Sequence, residues 1–314
     1  VTSKRFLVIL IYIFLPIISA RAEDSGRQII LDIGNDYFTG PEHTDRHLTN
    51  NISLGVIRSG LFGFTSGLAD QFSESQKLYS SVALSQFIYT PEDTKRTIPD
   101  PADQPYAGWL FLTTSLGARE NNLLNTYGVD IGVVGPASLA EETQNFYHRL
   151  INVPEAKGWD QQLHNELGIN LKIKQAVMPY RYEDSSDFIY FYGGSLGNVD
   201  THLEVGAILR WGYNIPDDMG YRAINAYDGN FSLFSVFRIY EKLVARDIFL
   251  DGNSDGNSPY VEKRPLVTAG SMGFVVRIGD VELGYSYEMS TKRFKTQTSA
   301  DDRGNVSLSY QRGF

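Results

Sequence analysis

The sequence predicts an all-β chain: an antiparallel transmembrane β-barrel of about twelve strands with a short helix in an extracellular loop. Three observations carry that expectation. Apolar residues alternate with polar or small ones at strict period two, in segments of roughly ten residues or more. Aromatic residues, 19 Tyr and 18 Phe among 314, crowd the ends of those segments, as girdles at a bilayer surface would. Beyond the N-terminal run no apolar stretch is long enough for a spanning helix, so a chain that crosses a membrane here crosses it with strands.

At the N-terminus, Lys4 and Arg5 precede the apolar run "FLVILIYIFLPIIS", which ends at Ala20-Arg21-Ala22, the small-x-small pattern that signal peptidase reads. Residues 1–22 are therefore expected to be an export signal and 23–314 the barrel domain. Strands are expected near 27–37, 46–60, 77–90, 106–119, 124–135, 161–182, 185–196, 200–214, 230–247, 262–278, 280–293 and 304–314. In "DVELGYSYEMS" Val281, Leu283, Tyr285, Tyr287 and Met289 share one face, against Glu282, Gly284, Ser286 and Glu288. "HLEVGAILRWGY" repeats the pattern, with Leu203, Val205, Leu209, Trp211 and Tyr213 against Glu204 and Arg210. The chain ends in "NVSLSYQRGF", where Val306, Leu308, Tyr310 and Phe314 fall on one face and resemble the assembly signal of bacterial outer-membrane proteins.

An even strand count with both ends in the periplasm sends the connections at 38–45, 91–105 and 136–160 to the same, outer, face. The third of them is helical in pattern. Ser138 and Glu141 read as a capping box after Gly135-Pro136, and Pro154 reads as the stop. Phe146 and Leu150 make an apolar face, while Gln144 and His148, also at i and i+4, are presented together on another.

The chemistry available is narrow. With no Cys, neither a disulfide, a thiolate metal site nor a cysteine nucleophile exists. A net charge of −9 gives no basic footprint for nucleic acid. Asn35 and Asp36, at the outer end of the first strand, offer oxygens suited to a hard cation such as calcium. Thr49 on the second strand and Lys95 and Arg96 on the second outer loop reach the same side as the His148 helix. Asp251, Asn253, Asp255, Gly256 and Glu262 fit an EF-hand expression, but Pro259 and the flanking strands favour a plain surface loop.

The segments "NDYFTG", "DRHLTNN", "YTPEDTKR…DQPYAGWL", "GVVGPASLAEETQNFYHRL" and "GWDQQLHNE", in that order, resemble the outer-membrane lipid A 3′-O-deacylases, the LpxR family. The resemblance implies a twelve-stranded barrel whose calcium-dependent site lies between the outer wall and the loop helix, acting as a monomer on lipid A of lipopolysaccharide among outer-membrane lipids. Carried over by motif, His148 is the general base, Asp36 with Asn35 the calcium site, and Thr49, Lys95, Arg96 and Gln144 the remaining wall, the two cations meeting lipid A phosphate. The family's acidic position after the histidine falls on Pro154, with the carboxylate one residue on at Glu155. Two other readings stay open at this level. His47-Leu48-Thr49-Asn50 resembles the H-x-S-N arrangement of other barrel acylhydrolases, with Thr49 as nucleophile. A porin-like barrel would need only polar inward residues such as Glu204, Arg210 and Glu282.

Overall fold

The computed structural model describes residues 26–39, 47–220 and 229–312. The expected export signal, His43 and the terminal Phe314 lie outside the described residues. Twelve strands form: β1 (Arg27–Asn35), β2 (His47–Ser59), β3 (Lys77–Thr90), β4 (Ala107–Glu120), β5 (Leu123–Val134), β6 (Glu166–Tyr182), β7 (Ser186–Gly197), β8 (Asp200–Tyr213), β9 (Phe231–Asp247), β10 (Leu266–Ile278), β11 (Val281–Ser290) and β12 (Asp301–Arg312). Each pairs antiparallel with its sequence neighbours, and β1 closes on β12, so the sheet is a barrel with no edge. In the closing register Leu31 stands between Leu54 and Leu308, and Asn35 between Asn50 and Gly304.

Period-two alternation becomes a wall with two chemistries. Val281, Leu283 and Met289 of β11, and Leu203, Val205, Leu209, Trp211 and Tyr213 of β8, stand exposed on the outside, as a lipid-facing belt requires. Their polar neighbours turn inward and pair: Glu288 with Arg303 (2.6 Å), Glu204 with Lys174 (2.6 Å), Asp130 with Lys172 (2.6 Å). They line a central cavity of about 660 Å³.

A porin-like channel would hold Arg210 open to water. Here it is buried, its guanidinium donating to both oxygens of the fully buried Asp187 (2.8 and 2.7 Å), to Asp218 (2.5 Å) and to the Pro216 carbonyl (3.0 Å). Ile215 and Met219, in the segment after β8, are buried as well. Removing one partner of such a network leaves an uncompensated charge, so Arg210→Met is expected to destabilise the barrel by about 3–5 kcal/mol. A lower temperature for the loss of heat-modifiable migration on gels would record that change; an unaltered temperature would mean that water reaches the carboxylates.

Three connections at one rim are tight, at 121–122, 183–185 and 279–280, while the opposite rim carries the segments 91–106, 135–165, 248–265 and 291–300. Within them lie α1 (Ala140–Ile151) and the single turn α2 (Ile248–Asp251). The EF-hand-like stretch serves packing. The Asp251 carboxylate accepts from Lys263 (2.8 Å) and from the Asp247 amide (2.9 Å), and Asn253 Oδ1 accepts from the His164 amide (2.8 Å).

Candidate active site

The segment holding α1 begins where Gly135 takes φ 91°, a left-handed value only glycine adopts at low cost, with the His164 carbonyl 2.4 Å from where a Cβ would stand. The expected capping box does not form. Residues Pro136–Ser138 make a 3-10 turn, Leu139 adopts the left-handed conformation at the N-cap, and α1 starts at Ala140 with no side-chain cap. Ser138 is instead buried against β3, its carbonyl accepting from Gln86 Nε2 (2.7 Å). Glu141 and Glu142 in the first turn and Arg149 in the last complement the helix dipole.

α1 lies against the outside of β3 and β4. Gly108 of β4 makes room for it, since a Cβ there would come within 2.0 Å of Ser138 Oγ and 2.3 Å of Ala140 Cβ. The helix is inverted relative to one on a soluble protein. Its polar face, with Gln144 and His148 only 3% and 2% exposed, turns to the barrel, while Phe146 (56%) and Leu150 (71%) face away. Outside a lipid-facing wall the surroundings are apolar, so burying the polar face and exposing the apolar one is the favourable arrangement.

The helix ends at Ile151, before Pro154 is reached, because Asn152 is left-handed (φ 59°) and returns its amide to Arg149, while the Val153 amide reaches the His148 carbonyl at 2.8 Å. That turn carries the Pro154 carbonyl back to 2.8 Å from His148 Nδ1. A carbonyl only accepts, so Nδ1 bears the proton and Nε2 of the neutral ring is the basic nitrogen.

Gln144, one turn earlier, is oriented as firmly. The indole Nε1–H of buried Trp159 donates to its Oε1 at 2.9 Å, which leaves Nε2 buried without a hydrogen-bond partner among the described residues. Such an orphaned donor costs about 1–3 kcal/mol, a penalty that a bound carbonyl would relieve.

The wall facing the helix is assembled by register. Asn50 is paired with Asn35 on one side and Ile88 on the other, and Ile88 packs with Tyr106, Ala140 and Trp159. Asn35 and Thr49 are buried, and Asn50 Oδ1 is a buried acceptor with no partner among the described residues. A bulge between Leu48 and Asn50 sets Thr49 as an extra residue, its hydroxyl 2.6 Å from that of Thr90. His47 does not reach Thr49. Its ring lies between Asp301, at Nδ1, and Asp103, 3.2 Å from Nε2. Burial would raise the Asp103 carboxyl, but hydrogen bonds from His47 and from the Glu92 and Gln104 amides hold it below the usual carboxylate range.

A match to the family model described as outer membrane protein LpxR extends over residues 6–312. The chain belongs to the LpxR family. Among solved structures, LpxR from Salmonella typhimurium superposes with a TM-score of 0.75 at 19% identity, covering 90% of this chain and 99% of that one. The β domain of the Bordetella autotransporter BrkA (TM-score 0.42, 9% identity, 93% and 100% covered) and the translocator domain of NalP from Neisseria meningitidis (0.38, 11%, 98% and 95%) are more distant barrels. No curated protein sequence matches the chain. The LpxR barrel is thus shared, and the chain is an outer-membrane protein by family.

Of the LpxR-like positions expected from sequence, Asn35 on β1 and Thr49 on β2 are buried, and Gln144 and His148 are buried on the face of α1 that packs on β3 and β4. Lys95 and Arg96 are exposed, on a loop stitched to the segment after α1: the Thr94 carbonyl accepts from the Lys157 amide (3.0 Å), and Gly158 sits against Pro99 and Tyr106. Asp36 opens a 3-10 turn directly after β1; its side chain lies outside the described parts of the chain. Glu155 is about half exposed and paired with Arg149 at 2.6 Å. Sequence reasoning missed Trp159 and Asn50. Both sit inside LpxR-like motifs, "GWDQQLHNE" and "DRHLTNN", yet only tertiary contact gives either one a task.

Proposed function

We propose that this LpxR-family chain is an outer-membrane lipid A deacylase that hydrolyses the 3′-linked acyl (acyloxyacyl) ester at the extracellular face, in the cleft between α1 and the outer wall. The observation that carries the reading is the Nδ1–H of His148 held by the Pro154 carbonyl on a buried helix face, which leaves Nε2 as base. In the step proposed, His148 Nε2 takes a proton from water as the water oxygen attacks the ester carbonyl. The carbon–oxygen bond to the sugar oxygen then breaks, and the imidazolium returns its proton to the leaving 3′-oxygen, giving a free fatty acid and a sugar hydroxyl. Gln144 Nε2 would donate to the carbonyl oxygen as charge develops there. Lys95 and Arg96 would meet the lipid A phosphates.

The residues fit a calcium ion in donor chemistry. Asn35, Thr49 and the orphaned Asn50 Oδ1 are hard oxygen donors on one face of the wall, and Asp36 would add a carboxylate next to Asn35; among the described residues no cluster of three acidic or imidazole side chains offers another place. A calcium ion held there would supply positive charge to polarise the ester carbonyl. The competing hydrolase, with His47 activating Thr49, is disfavoured by the partners that both side chains already have.

The test is a mass spectrum of lipid A from an outer-membrane host with and without the chain: loss of the 3′-linked acyl group supports the reading, and unchanged lipid A removes it. The role of the helix has its own test. Gly108→Val would drive a branched side chain into Ser138 and Ala140 and lift α1 from the wall, so acyl release is expected to fall about 100-fold through misplacement of His148, with the barrel still closed by heat-modifiable migration. Parental activity in that variant would separate α1 from the chemistry.

A further inference from the structure

We infer that Trp159 is a positioning residue of the hydrolytic site, fixing Gln144 as a one-way donor to the oxyanion; this rests on the deacylase reading above. The local fold holds the indole rigidly. Gly158, before it, lies where a Cβ would come within 2.5 Å of the Tyr106 ring, so only glycine lets Trp159 approach so closely. The Trp159 ring packs on Tyr106 with centroids 4.8 Å apart. A 3-10 turn, Trp159–Gln161, and the Leu163 amide bonded to the Tyr106 carbonyl (2.9 Å) anchor the chain on its C-terminal side. Trp159 is 1% exposed, among Ile88, Ala140 and Ala156.

A carboxamide alone is ambiguous, since rotating it by half a turn exchanges an acceptor for a donor. The indole removes the ambiguity because its nitrogen donates only, so it binds the amide oxygen and turns the NH₂ group the other way. That group is buried and has no hydrogen-bond partner among the described residues, on the helix face that also presents His148. A preorganised donor aimed where negative charge appears needs no rearrangement during reaction, which is what makes such donors effective. Without the indole, the amide can present its oxygen to the developing oxyanion, which repels it.

Three variants test this: Trp159→Phe, which keeps an aromatic ring on Tyr106 but loses the N–H; Gln144→Met, which keeps the volume but loses the amide; and the pair together. Trp159→Phe is expected to lower kcat for acyl release about 10-fold with KM within about twofold, and Gln144→Met about 100-fold. The double variant should be no slower than Gln144→Met alone, because the indole acts only through the amide. An equal further loss in the double variant would mean that Trp159 acts by packing, and parental kcat in either single variant would also overturn the inference. A readout independent of turnover is the indole N–H resonance of Trp159 in detergent-solubilised, ¹⁵N-tryptophan-labelled protein, identified by its absence in Trp159→Phe. Gln144→Met should shift it, and an unmoved resonance would sink the hydrogen bond. If the parent chain releases no acyl group, the deacylase reading fails, while this resonance still judges the contact.

Discussion

Replacing His148 by asparagine is expected to lower the turnover rate about 100-fold or more while leaving the barrel folded. Asparagine keeps a donor that can serve the Pro154 carbonyl, so the turn that ends α1 retains its partner. What it loses is the titrating nitrogen. An imidazole nitrogen can accept a proton from water and return it to the leaving oxygen, whereas an amide does neither. The substitution lies outside the strand ladder, on a helix laid against β3 and β4, so barrel closure does not depend on it. Heat-modifiable migration checks closure, and a lipid A mass spectrum checks the 3′-linked acyl group. A closed barrel that still removes that group at near the parental rate would eliminate His148 as base. Thr49→Ala would then be the next variant, since the bond from Thr49 to Thr90 would have to break for Thr49 to act.

The barrel is legible in the sequence because its environment imposes a simple rule on every strand. A wall with lipid outside and paired charges inside must alternate, so Leu203, Val205 and Leu209 against Glu204 and Arg210 announce both the strand and its orientation. All twelve expected strands form, with ends displaced by only a few residues in most of them. The exceptions have local causes. "GWDQQLHNE" reads as the start of a strand, but Gly158 and Trp159 pack on Tyr106 and β6 begins at Glu166. Ser138 reads as a cap because Glu141 stands at the right spacing. The left-handed turn at Leu139 that displaces it is a conformation a leucine rarely adopts and does not advertise.

The site is legible only in part, for a related reason. His148 and Gln144 share a helix face at i and i+4, which spacing reveals. Trp159 reaches Gln144 across a turn whose geometry depends on Asn152, Gly158 and Tyr106 together, and no periodicity encodes that. On β2 the bulge breaks the parity that sequence reading relies on, so Thr49 and Asn50 cannot be assigned to faces by counting. The same bulge, with His47 at φ 62°, is why proximity in sequence misleads: His47 and Thr49 are neighbours but one, yet they bind different partners.

Removing calcium is expected to cost at least as much as losing the base, about 100- to 1,000-fold in turnover, and Asp36→Ala should reproduce most of that loss with the barrel intact. The reason is one of charge. The described wall residues, Asn35, Thr49 and Asn50, are neutral, as is Gln144 above them, so they offer a developing oxyanion dipoles and no positive charge. A carboxylate from Asp36 beside Asn35 would by itself repel that oxyanion. For the ester hydrolysis proposed above, a carboxylate from Asp36 makes electrostatic sense only if a cation stands between it and the substrate, and Asn50 Oδ1, buried with no partner among the described residues, would be a further ligand for it. Binding can be read without turnover by terbium luminescence sensitised by the chain's own aromatic residues. Competition by calcium should quench it, Asp36→Ala should abolish it, and Asn50→Ala should weaken it about 10-fold. Full acyl release in excess chelator would take the cation out of the mechanism. The positive charge that the oxyanion needs would then have to come from Lys95 or Arg96, and Lys95→Met would become the costly substitution in place of Asp36→Ala.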